Sequence, residues 1–201
     1  LHLSPWLWFL VGFTPLLYWL RDARSRRIGA VFVVATALFG AFGLHTTVWS
    51  AYQKLVGRDL PHGYRIDISD AFYQAAFDLS PQSIKELGYN PLPHYDWEFE
   101  GRGNAERVLI VGAGSGNDVA AALRSGAKHV DAVDIDGAIV QLGREHHPEH
   151  PYADPRVTVI LDDARNAFKR LQPQSYDVLV FGLLDSHTQL GASSVRLDNY
   201  V

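Results

Sequence analysis

Gly112, Ala113, Gly114, Ser115 and Gly116 form a run whose only side chains are a methyl and a hydroxymethyl group. Such a run lets the backbone turn tightly and lets a ligand approach main-chain N–H groups that no bulky side chain covers. Asp134 follows Gly112 by 22 residues, close to the ~20-residue distance at which α/β nucleotide sites keep the carboxylate that holds ribose hydroxyls. The GxGxG spacing, as opposed to GxGxxG, favours an S-adenosylmethionine-type ligand over a dinucleotide. Two more carboxylates, Asp163 and Asp185, recur downstream at comparable places.

The elements that must position these groups are legible in the same stretch. Arg107–Val111 is a short apolar, β-branched run ending in the glycine turn, and residues 117–124 then read as a helix, beginning at Asn117. A second strand, His129–Val133, ends at Asp134 and Ile135. A third, Arg156–Leu161, leads into Asp162, Asp163, Ala164 and Arg165 and a helix through Leu171, and a fourth runs from Tyr176 to Phe181. Strand-helix units in succession imply a parallel α/β sheet, here in the order 3-2-1-4, with ligands beyond the carboxyl ends of the strands. Asp134, Asp163 and Asp185 all fall at or just past such ends. One acidic residue there is as well explained as a helix cap, but three on one rim point to a site.

Composition narrows the alternatives. Among 201 residues the net charge is -4, so there is no basic footprint for nucleic acid. Cysteine is absent, which excludes disulfides, thiol chemistry and cysteine-ligated metals. His146, His147, Glu149 and His150 offer donor atoms suited to zinc; their Pro-rich setting reads instead as a solvated connection, and no metal is expected. Leu3–Leu20 and Ile28–Trp49 are almost free of charge, each near the ~20 residues needed to cross a bilayer. They predict two transmembrane helices, with Trp6, Trp8, Tyr18, Trp19 and Trp49 toward their ends. The basic loop 21–27 between them belongs on the cytoplasmic side of a bacterial inner membrane. The α/β part is expected on the cytoplasmic face too, because an adenosyl nucleoside is a cytosolic ligand. The division expected is 1–49, two membrane helices; 50–82, a β-hairpin region; 83–105, a connector; and 106–201, an incomplete α/β domain. Without a methionine and opening inside an apolar run, the chain reads as a piece of a longer protein.

The residues from Trp49 through Gln53, from Phe72 through Asp78, the glycine turn, Val133–Asp136, Asp162–Arg165 and Tyr176–Val180 running on to Asp185 resemble, in order and spacing, the spermidine and spermine synthases. The likeness is strongest to the membrane-fused bacterial members, within the class I methyltransferase superfamily. The resemblance implies a transferase whose donor is S-adenosylmethionine or its decarboxylated form, with an amine acceptor, a lipid bilayer and a homo-oligomer as further partners. It implies that Gln53 and Gln74 lie on an N-terminal hairpin covering the nucleoside, that Asp134 binds ribose and that Asp163 faces the adenine amine. Gly112, Ala113, Gly114, Ser115, Gly116, Asn117, Ile135 and Ala164 complete the implied donor site. The family carries an aspartate where this chain has Ser115 and a catalytic aspartate where it has Gly182, which leaves Asp185 as the catalytic candidate. Ser115 in that position would admit the carboxylate of full S-adenosylmethionine. Aminopropyl transfer, methyl transfer and nucleoside or polyamine sensing without catalysis are all compatible with these residues.

Overall fold

The computed structural model describes residues 5–20, 22–41, 46–68, 71–102, 104–172 and 175–182. Asp185, the catalytic candidate, therefore lies outside the described residues.

Four strands, β5 (Arg107–Val111), β6 (His129–Asp134), β7 (Val157–Leu161) and β8 (Val178–Phe181), form a parallel sheet in the order β7-β6-β5-β8. This is the expected 3-2-1-4 order. Side chains alternate across a strand, so β5 feeds two cores. Val108 and Ile110 pack with Val119 and Ala122 of helix α5 (Asn117–Arg124) and Val140 of α6 (Gly137–His146). Leu109 and Val111 pack on the other face with Ala167 and Phe168 of α7 (Ala164–Arg170). With both faces covered, β5 reads as an unbroken apolar run. Order reversal between β6 and β8 about β5 opens a crevice above the glycine turn.

The region expected as a hairpin is a four-stranded antiparallel sheet in sequential order: β1 (Thr46–Trp49), β2 (Lys54–Leu60), β3 (Gly63–Ile68) and β4 (Ala71–Phe77). It buries Leu55, Tyr64, Ile66, Ile68 and Ala76 against Ile139 and Leu142 of α6. The Tyr64 ring also stacks on His146 at 4.0 Å between centroids. This packing suspends β4 and the β1–β2 turn over the carboxyl end of the parallel sheet. The connector holds two short helices, α3 (Pro81–Leu87) and α4 (His94–Trp97).

The two membrane crossings are corrected by the structure. Among the described residues no helix is long and apolar enough to span a bilayer. Helix α1 (Pro5–Phe13) has 9 residues and gives way to a 3-10 turn over Thr14–Trp19, in which Pro15 removes a main-chain donor. Helix α2 (Ala23–Ala41) has 19 residues, but its first turns carry Arg24, Arg26 and Arg27. The apolar remainder from Ile28 covers about 21 Å at 1.5 Å per residue, short of ~30 Å of hydrocarbon. Trp49 sits not at a helix end but in β1, opposite Lys54. The two helices pack on each other through an edge-on Phe13–Phe32 contact, leaving Val11, Leu16, Ile28, Val31 and Leu38 exposed.

Candidate functional site: a nucleoside-sized cavity with an acidic wall

The glycine turn is held from every side. Gly112 and Ala113 donate main-chain N–H bonds to the Val133 carbonyl at 2.9 and 3.1 Å, which ties the turn to β6. Gly114 donates to Asp134 Oδ2 at 2.8 Å and its carbonyl accepts from the Tyr152 hydroxyl at 2.8 Å. It has φ +54°, in the left-handed region that favours glycine, and a Cβ there would push Gln74 Oε1 from 2.8 Å. Asp134 Oδ1 accepts in addition from Asp136 N at 2.8 Å. Burial raises the Asp134 carboxyl above the usual range, while those two main-chain donors pull the other way. Asp136 caps α6 through Ala138 N and accepts from Gln53 Nε2 at 3.4 Å.

A cavity of about 530 Å³ opens at this point, within the size range of small-molecule sites. It gathers ten of the expected site residues: Gln53, Gln74, Gly112, Ala113, Gly114, Asn117, Asp134, Ile135, Asp163 and Ala164. Gln53 keeps a buried Oε1 with no hydrogen-bond partner, an acceptor left for a ligand. Ser115 and Gly116 do not line it. Ser115 is buried, and both its N–H and its hydroxyl donate to Gln74 Oε1, at 3.1 and 2.9 Å. Ser115, expected to admit a donor carboxylate by lacking one of its own, turns its side chain toward β4 and away from the cavity lining. Asn117 lines the cavity but also works as a splice: its Nδ2 donates to the Ala75 carbonyl at 2.8 Å and its Oδ1 accepts from Phe77 N at 3.3 Å. Asp163 borders the cavity with its carboxylate engaged by Arg165 N and Nη2, each at 2.8 Å, and this holds its pKa at about 2.

The wall opposite was missed in the sequence. Tyr95 and Glu98, in and just past α4, face Asp118 of α5 beside Phe181 and Gly182 at the end of β8. Asp118 is buried, and desolvation with the Glu98 charge pushes its carboxyl up to about 7. Burial likewise raises Glu98 and, with Asp118 and Glu98 nearby, the Tyr95 phenol. One signal was available: Asp118 is an acid placed immediately before the apolar run 119–123, two residues past the glycine turn.

The His146–His150 segment is neither the solvated loop expected nor a metal cluster. His147 is fully buried; Nε2 meets Asn117 Oδ1 at 3.2 Å and Nδ1 accepts from Glu149 N at 3.1 Å. Desolvation, aided by Arg124, drops its pKa to about 3, so it is neutral. Glu149 accepts from Arg124 Nη1 at 2.6 Å and from Leu79 N at 2.9 Å. Among the described residues, no three His, Cys, Asp or Glu side chains are grouped to hold a metal ion.

The spermine/spermidine synthase domain matches residues 92–194. A polyamine aminopropyltransferase of Pectobacterium carotovorum is 37% identical over 87 residues, 41% of this chain and 30% of that protein. One from Korarchaeum cryptofilum is 30% identical over 89 residues, covering 43% and 27%. The chain thus matches about a third of the length of these curated relatives. A probable spermidine synthase from Corynebacterium glutamicum superposes with a TM-score of 0.53 at 19% identity, over 72% of this chain and 53% of that one. The spermidine synthase of Thermotoga maritima gives 0.50 at 16% identity, over 67% and 47%. With more than half of its residues inside the domain match, and the parallel sheet, glycine turn and overhanging antiparallel sheet in one fold, this chain belongs to the spermine/spermidine synthase family.

Proposed function

We propose that this chain binds an S-adenosyl donor and serves aminopropyl transfer to an amine. The observation that carries the reading is the polarity of this cavity. One end offers the glycine turn, Asp134 and the buried Gln53 acceptor, a set suited to ribose and base. The other end offers Asp118 and Glu98, while Arg165, the guanidinium among the lining residues, is paired with Asp163. A donor carboxylate there would meet like charge, whereas an ammonium group would meet its complement. That favours decarboxylated S-adenosylmethionine over the full methyl donor, and aminopropyl over methyl transfer. The relatives named polyamine aminopropyltransferases support the same reading. The reading assigns the α/β part to the cytosolic side, where such donors are found.

In this reaction the acceptor nitrogen attacks the aminopropyl carbon next to the sulfonium, and the C–S electrons return to sulfur, leaving neutral methylthioadenosine. Incubation of the protein with putrescine and decarboxylated S-adenosylmethionine should release methylthioadenosine. Release only from S-adenosylmethionine, as S-adenosylhomocysteine and a methylated product, would reverse the assignment.

A further inference from the structure

Position 182, at the end of β8, has no room for a side chain. A Cβ on Gly182 would lie 2.6 Å from the Gly112 carbonyl oxygen, which belongs to the rigid turn, and 3.3 Å from Asp118 Oδ2. The space is already occupied by a carboxylate arriving from α5. Asp118 is 8% exposed and accepts no hydrogen bond among the described residues. An acid in the first turn of a helix ordinarily bonds main-chain N–H groups at that end; this one instead borders the cavity, with Glu98 and Tyr95 across from it. A buried carboxyl left without a partner is costly to the fold, and such groups concentrate where a ligand completes them.

We propose that Asp118 is the acceptor-amine residue of this chain: its carboxylate, standing beside Gly182, pairs with the acceptor's ammonium and then takes its proton. The inference rests on the aminopropyl-transfer reading above and names the group that would perform it. The ammonium passes one proton to Asp118, the freed nitrogen lone pair forms the N–C bond, the C–S bond breaks toward sulfur, and Asp118 returns its proton to solvent. Burial suits the carboxyl to this task, since a pKa of about 7 lets it exist in both states near neutrality. The Tyr95 phenol, pushed up by burial, stays neutral and available as a hydrogen-bonding wall. Glu98, at the exposed rim, adds negative charge that draws the second ammonium of a diamine. The Tyr152 hydroxyl is engaged with Gly114 and stays neutral, its pKa raised by burial and by Asp134 and Asp118.

The test is calorimetric titration of putrescine into the protein saturated with methylthioadenosine, for wild type and Asp118→Asn. The variant should keep methylthioadenosine affinity within about twofold and lose diamine affinity by about 30-fold or more, the scale for a desolvated charge pair that loses one partner. Its kcat/KM for aminopropyl transfer should fall by about 10² to 10⁴-fold, the range for a lost general base. Wild type should release protons on taking up the diamine at pH 7, and the variant should not. Diamine affinity within about threefold of wild type, or unchanged proton release, overturns the assignment of Asp118 alone. Failure of methylthioadenosine to bind wild type overturns the functional reading beneath it. Gly182→Asp supplies an independent reading: with a second carboxylate forced against Asp118 and the Gly112 carbonyl, activity should fall, and a rise would contradict the proposal.

Discussion

The two ends of the cavity follow opposite rules. At the glycine turn, the polar groups are engaged before any ligand arrives: Asp134 accepts from Gly114 and Asp136, Gln74 accepts from Ser115, and Tyr152 donates to Gly114. At the end of β8, Asp118 has no hydrogen-bonding partner among the described residues, and burial and Glu98 raise its pKa. The nucleoside end is therefore preorganised, stabilising the fold while it shapes a site. The acidic end holds unmet electrostatic demand, which destabilises the empty protein and is relieved by a cation. Binding and stability should change together at the first end and in opposite directions at the second.

The largest effect is expected at Asp134. Asp134→Ala strands two main-chain donors and removes the carboxylate meant for ribose. Donor affinity should fall by about 100-fold or more, and stability by about 2–4 kcal/mol, from unmade hydrogen bonds of about 1–3 kcal/mol each. Titration of methylthioadenosine and chemical denaturation read the two. Intact stability with lost binding would break the claim that this end does both jobs.

Asp118→Asn should act in the other direction. The folded carboxyl keeps its proton to about pH 7, whereas the ordinary value is 3.8, so the folded state binds more protons between those limits. The contribution of Asp118 to stability should accordingly be full below about pH 4 and decline as pH rises toward 7. The asparagine variant lacks that decline and should be the more stable protein at pH 8, by at most about 4 kcal/mol, and near parity at pH 4. Thermal melts at the two pH values settle it; a variant less stable at pH 8 would mean Asp118 is a structural partner.

A smaller effect separates the walls. Arg124 ties α4 to the Glu149 loop, with Nη2 on Asp96 Oδ1 at 2.9 Å and Nη1 on Glu149 Oε1 at 2.6 Å. Because α4 and the residue after it carry Tyr95 and Glu98, Arg124→Gln should raise the KM for the amine several-fold while donor affinity holds, at a stability cost of about 2–3 kcal/mol. Equal losses for donor and amine would argue that the two ends are not separable. Smallest of all, Gln53→Ala removes one cavity-facing acceptor and the Nε2 bond to Asp136, and should weaken donor binding by about 3- to 10-fold with a stability loss of about 1 kcal/mol.

Much of the nucleoside end was legible in the sequence because it is local. The glycine turn, the 22-residue step to Asp134 and the strand alternation are contiguous features of one βαβ unit. The N-terminal part misled for a physical reason. Thr46, Thr47, Val48 and Trp49 extend an apolar run without a charge, and hydrophobicity alone does not separate a strand from a helix. Only the pairing with Lys54–Gly57 assigns them to β1. The orientation of Ser115 was not legible, because a side chain in a turn can face either way and Gln74, 41 residues earlier, sets it. The acidic end was the least legible, since Asp118, Tyr95 and Glu98 meet only when α4 is laid beside α5. The His147 lock is hidden for the same reason, its meaning set by Asn117, 30 residues away.

The central claim is that the cavity over Gly112–Gly114 holds an S-adenosyl nucleoside through Asp134. Isothermal titration with decarboxylated S-adenosylmethionine, S-adenosylmethionine, methylthioadenosine and NAD tests it most directly. The account predicts binding of methylthioadenosine and of the decarboxylated donor, weaker binding of S-adenosylmethionine, and loss of all three in Asp134→Ala. Binding of NAD with none of the S-adenosyl compounds would contradict it.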